Sequence, residues 1–303
     1  MSLPDSYIRY PKRRYGQDID RYDWAPSRMR GRFADGARLG VSIVVPLELF
    51  MLNPSGKPFR HPGAMQTPYP DLRHYTTRDY GNRVGAFRIL DALRAAGFKA
   101  TFAANGALIG RVPPLIDRIL ADGHELAAHG WDTDHIHWSG VDAATEAAWI
   151  ARTAEAFARR GLTPRSWMSP ARQESVATPD LVRAAGFDII LDWESDTTPI
   201  SMRTQSGALH AFPLLNELDD RMILTVKNHS EDDWRDQILE AARMMRAEAD
   251  ETGAQCFGFT LTPYIAGQPF RIRALREIFT GLAAIEGARI APVRDLVDGW
   301  RAA

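Results

Sequence analysis

The groups able to do chemistry in this sequence gather where its apolar runs stop. Leu39-Gly-Val-Ser-Ile-Val-Val45 runs out at Pro46-Leu47-Glu48, and the short run 126–128 stops at His129. Gly130 breaks the chain there, and Asp132, Asp134, His135 and His137 follow closely. Other runs end alike: 100–103 before Asn105, 165–168 before Ser169 and Arg172, 188–191 before Asp192 and Glu194, and 256–261 before Thr262. A carboxylate and an imidazole converging on one pocket suit general acid–base attack of water on an acyl or amide carbon. A neighbouring arginine suits an anionic substrate group or a developing oxyanion. There is no Gly-x-Ser-x-Gly elbow, no Walker loop and no dinucleotide Gly-x-Gly-x-x-Gly after a strand. Phosphoryl and hydride transfer therefore find no support.

Something must carry these ends to one place. Helix patterns at 84–96, 113–122, 142–160, 178–185, 232–251 and 271–285 each stop at a glycine, from Gly97 to Gly287, and each leads into a short apolar run. Glycine ends a helix that must turn back at once, because it takes the left-handed conformation at least cost. Repeated helix–glycine–strand units imply parallel strands joined by crossover helices. The count, roughly seven strands, favours an incomplete or distorted strand–helix barrel over an open sheet. In such a barrel the C-terminal ends of the strands meet on one face. A last helix is expected over 292–301, and 195–230 shows no regular pattern. Residues 36–303 read as this single barrel domain, with 51–80 as a long Pro/Gly/aromatic lid loop. Residues 1–35, rich in Arg, Tyr, Asp and Pro, read as an extended N-terminal arm packing on the body.

Composition narrows the setting. The chain has 303 residues and a formal net charge of -1, so no bulk charge calls for nucleic acid or an anionic membrane. The single cysteine, Cys256, lies in an apolar run and reads as a buried, inert thiol. No run is long enough to span a bilayer, and no signal region follows the N-terminal charges. The expectation is a cytoplasmic protein that acts on a small molecule, with no nucleic-acid or membrane partner. The arm at 7–32 and the loop at 51–80 offer surfaces for a homo-oligomer.

A family likeness follows from particular segments. They are Arg78-Asp-Tyr-Gly-Asn-Arg-Val-Gly85, Ala100-Thr-Phe-Ala-Ala-Asn-Gly106, Gly123-His-Glu-Leu-Ala-Ala-His-Gly130, Ser169-Pro-Ala-Arg172, Asp192-Trp-Glu-Ser-Asp196 and Leu261-Thr-Pro-Tyr-Ile-Ala-Gly-Gln-Pro-Phe-Arg-Ile272. Together they resemble the polysaccharide deacetylase (NodB-homology) superfamily, nearest its allantoinase-like and cyclic-imide-hydrolase-like branch. The resemblance implies a distorted (β/α)7 barrel. Metal-dependent members bind zinc or a similar ion through an aspartate near the first strand and a His-x-x-x-His pair. Here Glu48 ends the first strand, and Thr133 stands four residues after His129. Many relatives carry a histidine where Thr262 stands, proposed to act as general acid. Threonine donates a hydrogen bond but transfers no proton in that role near neutral pH.

The reading that results is a hydrolase of a non-peptide C–N bond in a small amide, cyclic imide or ureide, working without a metal or other cofactor. Glu48 and His129 activate water, and Asp192 completes the catalytic set. Asn105, Arg172, Trp131, Trp193, Glu194, Thr262 and Tyr264 bind substrate, with Trp138 and Trp167 as further walls of a flat pocket. One alternative is a metal-dependent N-deacetylase of an amino sugar, with zinc or another divalent ion on Glu48, His129 and His135. Another is a non-catalytic relative that binds a small ligand.

Overall fold

The computed structural model describes residues 21–22, 31–55 and 70–301. A two-residue strand, β1 (Arg32–Phe33), pairs antiparallel with β11 (Trp300–Arg301). Between them runs a curled, mostly parallel sheet. Its longest stave, β2 (Leu39–Leu47), is buried along its whole length. That burial is why its sequence is continuously apolar rather than alternating. β3 (Thr101–Ala104), β4 (Glu125–Ala128), β5 (Ser166–Trp167) and β6 (Ile189–Ile190) follow in order, each parallel to the last. β7 (Ile200–Thr204) and β8 (Gly207–Ala211) form a hairpin whose second strand runs parallel to β6. β9 (Gln255–Thr260) returns along β2, and β10 (Ala288–Ile290) pairs with the start of β2.

Just beyond β8 the chain touches β9 in a single parallel bridge, Leu214 to Gly258. Leu215 N–H donates to the Gly258 carbonyl at 2.8 Å, and Gly258 N–H to that of Pro213 at 2.8 Å. This seam closes β2, β3, β4, β5, β6, β8 and β9 into a distorted seven-stave barrel.

The helices are α1 (Leu72–Tyr80), α2 (Ala86–Ala96), α3 (Gly106–Ile109), α4 (Pro113–Ala121), α5 (Ala143–Ala158), α6 (Thr178–Ala184), α7 (Glu231–Thr252), α8 (Pro263–Ala266), α9 (Ile272–Ala283) and α10 (Val293–Gly299). Gly97, Gly123, Gly161, Gly186, Gly253 and Gly287 all have positive φ, as the turn from helix back to strand requires. Apolar faces of these helices bury Leu90, Ile116, Phe157, Trp234 and Ile278 against the sheet.

Four expectations are corrected. Residues 72–80 are helical rather than loop, because Asp71 caps them by accepting the His74 N–H at 3.0 Å. A π-helical turn at Gly81–Gly85 then joins α1 to α2, so the helix begins well before 84. The stretch 195–230 contains the β7–β8 hairpin, whose short strands are half exposed and carry little apolar signal. The last helix stops at Gly299 and gives way to β11.

Of the N-terminal arm, Arg21 donates to the Val176 carbonyl at 2.7 Å and pairs with Asp180 at 2.9 Å. Tyr22 meets Trp193 edge-on, with ring centroids 6.1 Å apart. The remainder of 1–30, and 56–69 of the expected lid, lie outside the described residues, as do most of the surfaces read as an oligomer contact. Among the described residues no helix is long and apolar enough to cross a membrane.

Candidate active site

Glu48 directly follows β2, and its backbone is held on every side. Asn105 N–H donates to the Leu47 carbonyl at 3.0 Å. The Asn105 side-chain oxygen accepts from Leu49 N–H at 2.8 Å. Asn82, on the widened π turn, donates to the Glu48 carbonyl at 2.8 Å. Thr133 donates to the Leu49 carbonyl through its hydroxyl at 3.0 Å and its N–H at 3.3 Å. Each bond satisfies a backbone group that the end of the strand would leave unpaired. Asn105 also donates to the His129 carbonyl. One fully buried amide thus pins the ends of β2 and β4 across β3.

His129 is only 2% exposed, and its Nδ1 lies 3.0 Å from the Met168 carbonyl oxygen. A carbonyl only accepts, so Nδ1 carries the proton and Nε2 keeps its lone pair when the ring is neutral. Nε2 faces Glu48 Oε1 at 3.7 Å. That gap is too long for a direct hydrogen bond. The turn behind His129 tolerates no side chain: Gly130 has φ 57°, and a Cβ there would lie 2.4 Å and 2.6 Å from Pro170.

Both side chains line a cleft of about 120 Å³ with Pro46, Met168, Ala171, Arg172, Asn216, Asp219, Arg221, Met222, Thr260, Thr262 and Tyr264. Arg172 reaches it from a strained turn in which Ala171 and Arg172 have φ 56° and 51°. Its guanidinium donates to the Leu214 carbonyl and stands 3.7 Å from Glu194 and 3.8 Å from Asp219. Burial pushes the Tyr264 phenol well up, with the Glu48 charge adding to it, so the hydroxyl keeps a proton to offer. Burial also raises the Asp219 carboxyl, which accepts the Thr260 N–H at 2.8 Å. Beside it, burial pushes the Asp220 carboxyl up to about 7.

The structure brings Glu48, His129, Arg172, Thr262 and Tyr264 to the cleft, and not the other residues expected there. Asp192 sits beneath the strained turn, where both its oxygens accept the Ser169 N–H, at 2.9 Å and 3.1 Å. Its neighbour Glu174 accepts the Trp193 indole N–H at 2.8 Å. Burial and the nearby Asp192 charge raise the Glu174 carboxyl well above its usual range. Asp192 is a support rather than a lining group. Asn105 acts through the backbone clamp. Glu194 is at the rim, accepting the Asn216 N–H at 2.7 Å.

The tryptophan wall does not form. Trp131 lies under Arg152 at 3.6 Å, Trp167 is in the core, and Trp138 is 56% exposed. Trp193 is spent on Glu174 and Tyr22. Asn216, Asp219, Asp220, Arg221 and Met222 were not anticipated, because they lie in the stretch without periodicity. The charged trio Asp219-Asp220-Arg221 next to Met222-Ile-Leu was the available signal.

Among the described residues the donor set does not fit a resident divalent ion. Thr133, in the place of the second histidine, is spent on Leu49. His135 Nδ1 is 2.7 Å from Asp132, and its ring stands edge-on to Trp149 at 5.0 Å, away from the cleft lining. Among the described residues no three His, Cys, Asp or Glu side chains group as a metal site. A structural zinc or catalytic zinc needs at least three protein ligands.

Comparison with known proteins agrees with this architecture. The polysaccharide deacetylase family profile matches residues 68–190. A Schizosaccharomyces pombe protein, provisionally named a polysaccharide deacetylase, is 22% identical over 245 residues, covering 74% of this chain and 75% of its own. A probable polysaccharide deacetylase from Pseudomonas aeruginosa PAO1 superimposes with TM-score 0.78 at 19% identity, over 96% of this chain and 97% of its own. An allantoinase superimposes with TM-score 0.76 at 21% identity, over 94% and 95%. At these identities the superpositions speak for the fold. Residues 68–190 thus resemble the polysaccharide deacetylase family, and the chain as a whole shares the fold of these solved structures.

Proposed function

We propose that this protein hydrolyses a carbon–nitrogen bond in a small amide, cyclic imide or ureide, without a metal. The observation that carries the reading is the pair of acceptors, Glu48 Oε1 and His129 Nε2, facing each other at 3.7 Å. A water between them donates one hydrogen to each. Its lone pairs then point into the cleft, toward a carbonyl carbon bound there. As the water attacks, its proton passes to this pair, which is general base catalysis. Donors line the same cleft: the Tyr264 phenol and the Arg172 guanidinium. They suit the carbonyl oxygen as it gains charge.

The likeness supports the chemistry: the relatives above bear the names polysaccharide deacetylase and allantoinase, and hydrolysis of an amide-type bond suits both names. The donor set weighs against the amino-sugar deacetylase reading, which calls for an ion. Thr262 favours a second reading, a ligand-binding relative that has lost turnover, because it replaces a proton-donating side chain.

One panel separates the readings. Allantoin, hydantoin, succinimide and N-acetylglucosamine oligomers are incubated with the protein, with chelator and with added zinc, and products identified. The leading reading expects turnover of a cyclic member that chelator leaves unchanged and that Glu48→Gln abolishes. Chelator-sensitive release of acetate supports the deacetylase. Thermal stabilisation without product supports the binding protein.

A further inference from the structure

We infer that Asp220 supplies, through the Thr262 hydroxyl, the proton that the departing nitrogen takes up. The inference rests on the hydrolase reading above. Thr262 lines the same cleft as the acceptor pair, at the end of the stave beside β2, and is 5% exposed. Its hydroxyl lies 2.9 Å from Asp220 Oδ1. Asp220 is fully buried, does not line the cleft itself, and its carboxyl meets the side chain of cleft-lining Thr262. A neutral Asp220 donates its proton to the threonine oxygen, which turns the threonine hydrogen toward the substrate. In the step that breaks the C–N bond, the nitrogen takes the threonine hydrogen while threonine takes the Asp220 proton. The electron pair of the bond stays on nitrogen as it becomes N–H. The carboxylate left behind is already cradled: Thr262 N–H donates to it at 2.7 Å and Arg221 N–H at 2.7 Å. Threonine thus needs no acidity of its own, because it only passes a proton along.

The surroundings favour an acid that is neutral before the step. Burial raises Asp220 to about 7, and the Asp219 charge beside it adds to this, while bonds from Thr262 and Arg221 oppose it. Tyr264, which also lines the cleft, feels the Asp220 charge, and Arg78, Arg221 and Glu48 act on that same phenol. General acids titrating near the working pH are the most effective.

The test compares leaving groups. Hydantoin must have its nitrogen protonated, whereas 4-nitrophenyl acetate releases a phenolate that needs no proton. Thr262→Val is expected to raise the ester-to-amide ratio of kcat on the order of 10²-fold, the usual contribution of a general acid. Thr262→Ser restores most of the loss. Wild-type kcat on hydantoin falls as pH rises through about 7, and Asp220→Asn flattens that limb. If Thr262→Val slows both probes equally, or neither, the relay is overturned, while an inactive Glu48→Gln leaves the hydrolase reading standing. If Glu48→Gln is as active as wild type, the hydrolase reading falls and the relay with it. Infrared titration needs no turnover: a carboxyl signal near neutral pH that Asp220→Asn removes is expected. Its absence overturns the relay by itself, even if Asp220→Asn folds poorly, since Thr262→Val and Thr262→Ser carry the kinetic arm.

Discussion

His129 Nε2 and Glu48 Oε1 face each other across 3.7 Å with no proton between them when the imidazole is neutral. The Met168 carbonyl enforces this by engaging Nδ1. Removing the ring should therefore cost chemistry rather than binding. His129→Ala is expected to lower kcat by about 10²–10⁴-fold on the panel member turned over, with a smaller change in KM. Steady-state kinetics checks it; unaltered kcat would remove the imidazole from the mechanism.

Asn105 holds both reacting groups without touching the cleft. Asn105→Ala leaves the Leu49 N–H and His129 carbonyl without their partner. A loss of about 2 kcal/mol in urea unfolding is expected, the usual penalty for orphaned buried groups. A misplacement near 1 Å costs on the order of 10²-fold in rate, so kcat should fall with stability. Full activity in a destabilised variant would confine Asn105 to folding.

Gly130→Ala puts a methyl group into Pro170 at a left-handed backbone position. Backbone strain costs roughly 1–2 kcal/mol and the clash about 1–3 more. The melting temperature should drop, and the His129 end of β4 should shift with it. Calorimetry at one fixed pH reads the effect.

Stability should depend on pH through Asp220. Its folded value is raised, so the native state binds a proton that the unfolded chain releases in the ordinary carboxylate range. The stabilising effect is complete below that range and is lost as pH rises through about 7. Asp220→Asn should remove this component, so its urea midpoint should fall less than that of wild type between mildly acidic and mildly alkaline buffer. Parallel curves would place the titration elsewhere.

The convergence of Glu48 and His129 was legible because each directly follows a fully buried run, and parallel strands separated by one neighbour deliver such positions to one rim. Arg172 and Thr262 obeyed the same rule. Asp192 obeyed it too but turned beneath the Ser169 turn, since a strand end fixes a residue's place and not the direction of its side chain. The tryptophans misled for a related reason: large apolar rings next to polar ends can equally fill the core, as Trp167 does. Asp219 and Asp220 were hidden because their stretch has neither helical nor strand periodicity. Thr133 reads as a missing ligand in one dimension and proves to be a fastener of Leu49 in three.

The barrel is shut at one point, the bridge from Leu214 to Gly258. A wall held by so few backbone bonds is where a ring first breathes, and such openings exchange amide hydrogens fastest. Asn216, Asp219, Arg221 and Met222 leave the chain just past this joint, and Arg172 is fastened to it through the Leu214 carbonyl. The side of the cleft that carries Arg172 and Asn216 thus hangs on a short seam, while Glu48 and His129 stand on the longer-paired frame of β2, β3 and β4.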